Sequence, residues 1–240
     1  ATSGGNSKNV VSGYMANAPE SCSVTIGHMA ETKKTGGIAI GKYSNPVLEN
    51  SIIYSNTSVW GGGLSIAFHS NPIVRNVRIY DNDASEAGGG VFMGQFSAPI
   101  FERVHVGSNH ASAGGGFFLN DHVSPTFNQI TVEGNSGTNG GGGMLIRDGS
   151  TPTVINSIFW ANLPDQFYLF YADGGNQPDT LAIAYSDVLG GVNDIHLGIG
   201  HVDWLDGNIF ADPRFTTPPS LASNSPCIDA GTAQLVFEGV

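Results

Sequence analysis

The chain has 240 residues, 34 of them Gly, and its 20 Asp and Glu against 9 Lys and Arg give a formal net charge of −11. So few cations exclude a phosphate-tracking nucleic-acid surface. No apolar run approaches the ~18 residues of a membrane-spanning helix, and glycine without a three-residue period excludes collagen.

In chain order, the first strand-like stretch is Val24 to Ile26, preceded by Pro19. It fits an opening coil with no glycine pair and with Met29 where later coils carry Asn. From residue 35 three markers recur in register. Glycine pairs fall at Gly36-Gly37, Gly62-Gly63, Gly89-Gly90, Gly115-Gly116 and Gly142-Gly143. Prolines fall at Pro19, Pro46, Pro72, Pro99, Pro125 and Pro152, spaced by 27, 26, 27, 26 and 27 residues. Asn56, Asn82, Asn109, Asn135 and Asn162 each follow a proline by ten residues. Regular repeats thus cover 35–162.

Apolar residues alternate within each repeat. Ile38 and Ile40, Leu64 and Ile66, Val91 and Met93, Phe117 and Leu119, and Met144 and Ile146 follow the glycine pairs. Leu48, Val74, Phe101, Phe127 and Val154 follow the prolines, then Val77, Val104 and Ile130, with Ser51 and Ser157 in the outer repeats. Ile53, Ile79, Val106, Val132 and Phe159 close the set. A period of two is the signature of strands, about three to a repeat, divided by Gly, Pro and Asn corners.

A short all-strand repeat predicts a single-stranded parallel β-helix of seven to nine coils, with neighbouring coils about 4.8 Å apart. Propeller blades need nearer 40 residues. Gly63, Gly90, Gly116 and Gly143 should supply positive φ at the sharp turn. Proline should sit where no ladder N–H is needed. The Asn column should point inward and satisfy buried turn groups from coil to coil.

After Asn162 the rhythm loosens. Asp165 to Phe170 and Thr180 to Val188 still read as strands, and from residue 190 the chain is loop-rich with two short strand-like pieces. The expected division is 1–189 for the coils and 190–240 for an irregular closing segment. Two cysteines, Cys22 and Cys227, make neither a disulfide scaffold nor a zinc site. About seven coils would part them by roughly 30 Å, so both are expected as free thiols, Cys227 buried, unless the tail folds back.

The motifs GGGL, GGGV, GGGF and GGGM, paired with IYDN, VGSN, VEGN and FWAN, resemble right-handed parallel β-helix proteins of the pectate-lyase-like superfold. They are most similar to bacterial surface proteins with GGG and xxxN repeats, including polymorphic outer-membrane adhesins. YSDVLGG at 185–191, GNIFADPRF at 207–215 and SPCIDAGT at 225–232 look like the closing coils of secreted proteins of this kind. The resemblance covers about 35–232 and implies a secreted or cell-surface location. It does not bring the enzymes' motifs: NTD, DD, GHG and RIK of polygalacturonases, WxDH and RxPxxR of pectate lyases, and DPHE of alginate epimerases are all missing.

Four side-chain groups are candidates for chemistry. Asp121 and His122 in one coil face Arg147 and Asp148 in the next, and the Asp121–Asp148 pair could serve acid–base work or simply form a solvated turn with an Arg–Asp pair. Tyr43, His69, Phe96 and His122 share one turn position and should stack, either to hold a sugar chain or to pack on one another. Asp81, Asp83 and Glu86 at one corner, and Asp203 and Asp206 near Asn208, are calcium candidates, although neither matches a known calcium loop. Outward columns Phe92, Phe118, Leu145 and Tyr54, Tyr80, Trp160 call for cover by the tail or by a partner. Glu49, Arg75 and Glu102 alternate in sign as a cross-strand ladder. The sequon at Asn56 uses a ladder residue, so glycosylation is not expected there.

These features favour a non-enzymatic extracellular or surface protein, structural or adhesive, that meets carbohydrate or a surface protein, spans no membrane and needs no cofactor beyond an optional calcium. A lyase or hydrolase acting on an acidic polysaccharide is the alternative. Self-association through open coil ends is a weaker one.

Overall fold

The computed structural model describes residues 38–170 and 178–233, with the backbone of the strands Thr2–Ser3, Val10–Ser12, Asn17–Ala18 and Val24–Ile26. Pro19, Cys22, Met29, Gly36-Gly37 and residues 234–240 lie outside the described residues.

The alternating strands build four parallel sheets, visited in the same order by the regular coils. The glycine face, which follows the glycine pairs, has nine strands, from Val10–Ser12 to His196–Leu197. The proline face has seven, from Val47–Glu49 to His201–Trp204. A third face has six, from Ile52–Tyr54 to Asp187–Val188, and the asparagine face has four, from Thr57–Trp60 to Ser136–Gly137. Val24–Ile26 lies on the glycine face beside Ile38–Ile40.

Equivalent residues stand opposite one another. Val74 pairs with Leu48 and Phe101, and Phe101 with Phe127. Among the described residues the six strands of the third face mark six full coils, fewer than the seven to nine expected. A partial seventh follows, with His201–Trp204 on Thr180–Ala184 and a bridge from Asp187 to Ile209, so parallel stacking runs past residue 190.

The inward apolar set forms one continuous core. Phe101 and Phe127 sit 5.2 Å apart, Phe117 and Phe127 5.0 Å, and Phe159 and Phe167 4.2 Å. Ring pairs at these separations add to the gain from burying each ring.

At the asparagine corner the buried ladder forms as expected. The Asn82 side-chain amide donates to Asn109 Oδ1 at 2.9 Å, Asn109 to Asn135 Oδ1 at 2.9 Å, and Asn135 to Asn162 Oδ1 at 2.9 Å. Each amide also donates to a strand carbonyl of the preceding coil, as Asn109 does to Ile79 O at 3.0 Å. Asn56 opens the column by donating to Asn82 Oδ1 at 2.9 Å. Two further columns do similar work. Backbone N–H groups of Ser44 and Ser70 donate to the hydroxyls of Ser70 and Ser97, and Ser150 N donates to Asp179 Oδ1 at 3.1 Å. Ser157 N donates to Ser186 Oγ, and Ser186 N to Asn208 Oδ1.

The glycine corner works differently from expectation. Positive φ belongs to the residue before each pair, Gly61, Gly88, Gly114 and Gly141. Gly63, Gly90, Gly116 and Gly143 are glycine because neighbouring backbones come too close for a side chain. A Cβ on Gly90 would lie 2.7 Å from Gly116 O and 2.9 Å from Val106 Cγ1. The left-handed bends elsewhere are made mainly by other residues, such as Asn76 at φ 53° and Arg103 at φ 52° before the third face.

Candidate functional site

The turn from the glycine face to the proline face carries the ring column. Tyr43, His69, Phe96 and His122 all adopt left-handed φ between 57° and 59°, which swings each side chain out of the coil. Successive centroids are 5.4, 5.2 and 4.9 Å apart, with interplanar angles of 23°, 9° and 13°. Tyr43 is 66% exposed and Phe96 50%. Near-parallel rings one coil apart use their faces on each other, so the column turns ring edges to solvent. A sugar would meet those edges rather than a free stacking face. The column ends after His122, because the next coil has Gly149 at that position.

The neighbouring charged cluster resolves into two local pairs. Register puts Asp121 opposite Asp148, and His122 N donates to Asp148 O at 2.9 Å. The side chains turn elsewhere: His122 Nδ1 lies 3.0 Å from Asp121 Oδ1, and Arg147 Nε donates to Asp148 Oδ2 at 2.9 Å. The Arg147 guanidinium also lies 5.6 Å from the Phe170 ring centroid.

The calcium candidates do not converge. Asp83 lies 3.3 Å from His110 Nδ1, and Glu86 accepts from Trp60 Nε1 at 2.6 Å, while Asp81 sits on a left-handed bend. Asp203 accepts from His201 at 2.8 Å. Among the described residues no group of three or more His, Cys, Asp and Glu is placed to hold a metal ion. In the expected charge ladder Arg75 pairs with Glu102 at 2.8 Å.

The two outward apolar columns differ: the first is covered, whereas Tyr54 in the second stays 54% exposed. Phe118 and Leu145 are buried in a small outer cluster with Ala87, beside Phe92, Ala113 and Tyr168. Among the described residues the cover comes from the adjoining glycine corner and from Tyr168. Tyr54 and Tyr80 stack at 5.3 Å, and the column then breaks at Gly107. A Cβ there would lie 2.7 Å from His105 Nε2, so Gly107 leaves room for the pairing of His105 with Glu133 at 3.0 Å. His105 is 6% exposed and its Nδ1 is buried with no hydrogen-bond partner. An orphaned buried polar atom costs about 1–3 kcal/mol.

The closing segment folds back along the third face. Its antiparallel hairpin, Phe215–Thr217 with Ser220–Leu221, brings Pro219 against a cleft of about 210 Å³ lined by Arg78, Arg103 and His105. Two further contacts hold it down. Asn156 Oδ1 accepts from Thr232 N at 2.8 Å while its amide donates to Thr232 O at 3.1 Å, and Cys227 Sγ donates to Asp187 Oδ2 at 3.0 Å. A cavity of about 470 Å³ lies between the segment and the coils. Cys227 is unbridged, and half-buried rather than buried. Burial, then the facing Asp187 carboxylate, pushes its thiol up to about 12.

Acidic groups that no repeat marks are perturbed. Burial raises Asp179 to about 6 against the opposing hydrogen bonds from the Ser150 and Gly149 backbone. Burial also raises Asp187, opposed by Cys227 and the Ala211 N–H. Asp165 is raised by burial against backbone bonds from Gly141 and Gly142. Asp165 lies with Asp194, His196 and Tyr168 in a cavity of about 510 Å³ at the glycine corner of the last coils. The Tyr168 and His196 rings meet edge-on at 4.3 Å. Sequence reasoning missed this group, since Asp165 and Asp194 fall where the repeat has dissolved.

Among the described residues no helix is long and apolar enough to cross a membrane. A family model described as right handed beta helix region matches residues 5–159. No curated protein and no solved structure matches the chain.

Proposed function

We infer, for a chain that belongs to the right-handed β-helix family, an extracellular or cell-surface role that is structural and adhesive rather than enzymatic. The contact surface in this reading is the corner of stacked rings, meeting carbohydrate or a protein partner. The observation that carries it is the exposed column from Tyr43 to His122, held at spacings of 4.9 to 5.4 Å over four coils. Aromatic edges are electropositive, so a column of edges suits hydroxyl and carbonyl oxygens set along an extended chain. A rigid solenoid repeats those edges at the coil spacing, and no ordering cost falls on the protein when the ligand arrives.

The test is glycan-array binding by the parent and by the double variant His69→Ala and Phe96→Ala. Binding without turnover, weakened about tenfold or more in the variant, supports the reading. Binding unchanged in a folded variant, or release of cleaved glycan, overturns it.

Processing of an acidic polysaccharide is the second reading. It is favoured by the 510 Å³ cavity that gathers Asp165, Asp194, His196 and Tyr168, with the Asp165 carboxyl raised by burial against backbone bonds from Gly141 and Gly142. Ultraviolet absorbance from unsaturated products, or new reducing ends, lost in Asp165→Asn would support it.

A further inference from the structure

We infer that the cleft between Arg78, Arg103 and His105 is a binding site for a small hydroxylated monocarboxylate. The site is independent of the ring column, which lies at another corner.

Two of the chain's five arginines, Arg78 and Arg103, line this one cleft of about 210 Å³. Arg75 and Arg147 pair with carboxylates, at 2.8 and 2.9 Å, whereas no carboxylate among the described residues pairs with Arg78 or Arg103. Both guanidiniums are nonetheless held. Arg78 lies 5.3 Å from the Tyr80 ring centroid, and Arg103 Nε donates to Asn76 Oδ1 at 2.7 Å. Strand pairing puts Arg78, His105 and Thr131 opposite one another on successive coils. His105 lines the cleft, and its Nδ1 is buried without a partner.

Charge and size select the ligand class. Two guanidinium cations stand against one carboxylate, Glu133, which is engaged with His105 Nε2 at 3.0 Å. With the imidazole uncharged the surplus is one positive charge, which a monoanion neutralises and a dianion exceeds. A guanidinium fork matches a carboxylate through paired N–H bonds. The amides of Asn76 and Gln129 and the Thr131 hydroxyl, all lining the cleft, can take ligand hydroxyls. The volume is below the ~300 Å³ at which ordinary ligand pockets begin, which fits a molecule of sugar-acid size. Pro219 closes one side.

The test titrates the full chain with gluconate, with sorbitol as its uncharged counterpart and inorganic phosphate as a dianion, at constant ionic strength. Calorimetry and the side-chain ¹⁵N resonances of His105 are the readouts. Saturable gluconate binding that perturbs His105, with no response to sorbitol and weaker phosphate binding, is expected. Arg78→Gln and Arg103→Gln should each weaken gluconate about tenfold or more. Gln129→Glu, which places a carboxylate in the cleft of an otherwise intact protein, should abolish binding. No saturation with gluconate, an equal response to sorbitol, phosphate binding as tight as gluconate, or undiminished binding in Gln129→Glu overturns the assignment.

Discussion

The Asn162 side-chain amide donates to Gln166 Oε1 at 2.7 Å, a partner four residues along the chain instead of one coil away. Gln166 reaches back and its own amide donates to Asn162 O at 3.2 Å. The ladder is thus finished by a longer amide at the point where the repeat stops supplying asparagines.

Asn109→Ala leaves the Asn82 amide and the Asn82 N–H without their shared acceptor, both of which it holds within 3.0 Å. The expected loss is ~1–3 kcal/mol for each orphaned buried group. Gln166→Ala removes an Oε1 that holds the Asn162 N–H at a longer 3.4 Å, and should cost less. Urea melts of both variants against the parent measure this, and an Asn109→Ala midpoint equal to the parent's would remove the ladder from the account of stability.

Gly90→Ala should be more damaging than Gly134→Ala, although only Gly134 has positive φ. A Cβ on Gly134 meets nothing nearer than 3.9 Å, against 2.7 Å from the Gly116 carbonyl for Gly90. The left-handed penalty at Gly134 is about 1–2 kcal/mol, and overpacking against a fixed backbone at Gly90 about 3 kcal/mol. Thermal melts that reverse the order would contradict the close-approach role of the second glycine of each pair.

Asp179, raised to about 6 by burial, makes stability pH-dependent with a definite sign. Between pH 4 and 6 the folded chain keeps a proton that the unfolded chain has lost. This contribution is fullest below about pH 4 and falls away as pH rises to about 6, by at most about 3 kcal/mol. Asp179→Asn keeps an acceptor for the Ser150 N–H and removes the charge. Its Tm advantage over the parent should widen from pH 4 to 6 and then level off. A difference that stays flat with pH would show that Asp179 is ionised throughout.

The Cys227 thiol, pushed up to about 12, should label slowly at pH 8. Its thiolate fraction is about a thousandfold below that of a thiol at the usual 9. In a Cys22→Ser background, Asp187→Asn removes the facing charge and should speed alkylation by about tenfold. Parent labelling as fast as that of the unfolded chain would show that the closing segment does not hold Cys227 against Asp187.

Column contents were legible in the sequence because a solenoid writes each column as a recurrence. Asn109, Phe101 and Val106 stand where spacing put them, and so do the rings from Tyr43 to His122. Two kinds of information were not periodic. Backbone proximity carries no letter of its own, so Gly90 could be placed at its corner while its reason was assigned to φ. Side-chain direction at a turn is equally silent: Asp121 and Asp148 fall opposite one another, yet each bonds the residue beside it. The cavities made by the closing segment, and the group around Asp165, involve chain that no repeat constrains. His105 was invisible for the opposite reason: its column, Ile52, Arg78, His105, Thr131, Ile158 and Asp187, keeps register while repeating no chemical type.

A solenoid coil normally answers only to its two neighbours, so its ends can fray one coil at a time. The returning segment changes that arithmetic. It starts at Ile209 beside the last coil, touches the coil of Arg103 through Pro219 and fastens to Asn156 through Thr232. Peeling the C-terminal coil therefore strips contacts several coils away. That end of the rod unzips as one cooperative block, and a force pulling on it is shared across the shaft and not borne by the outermost turn.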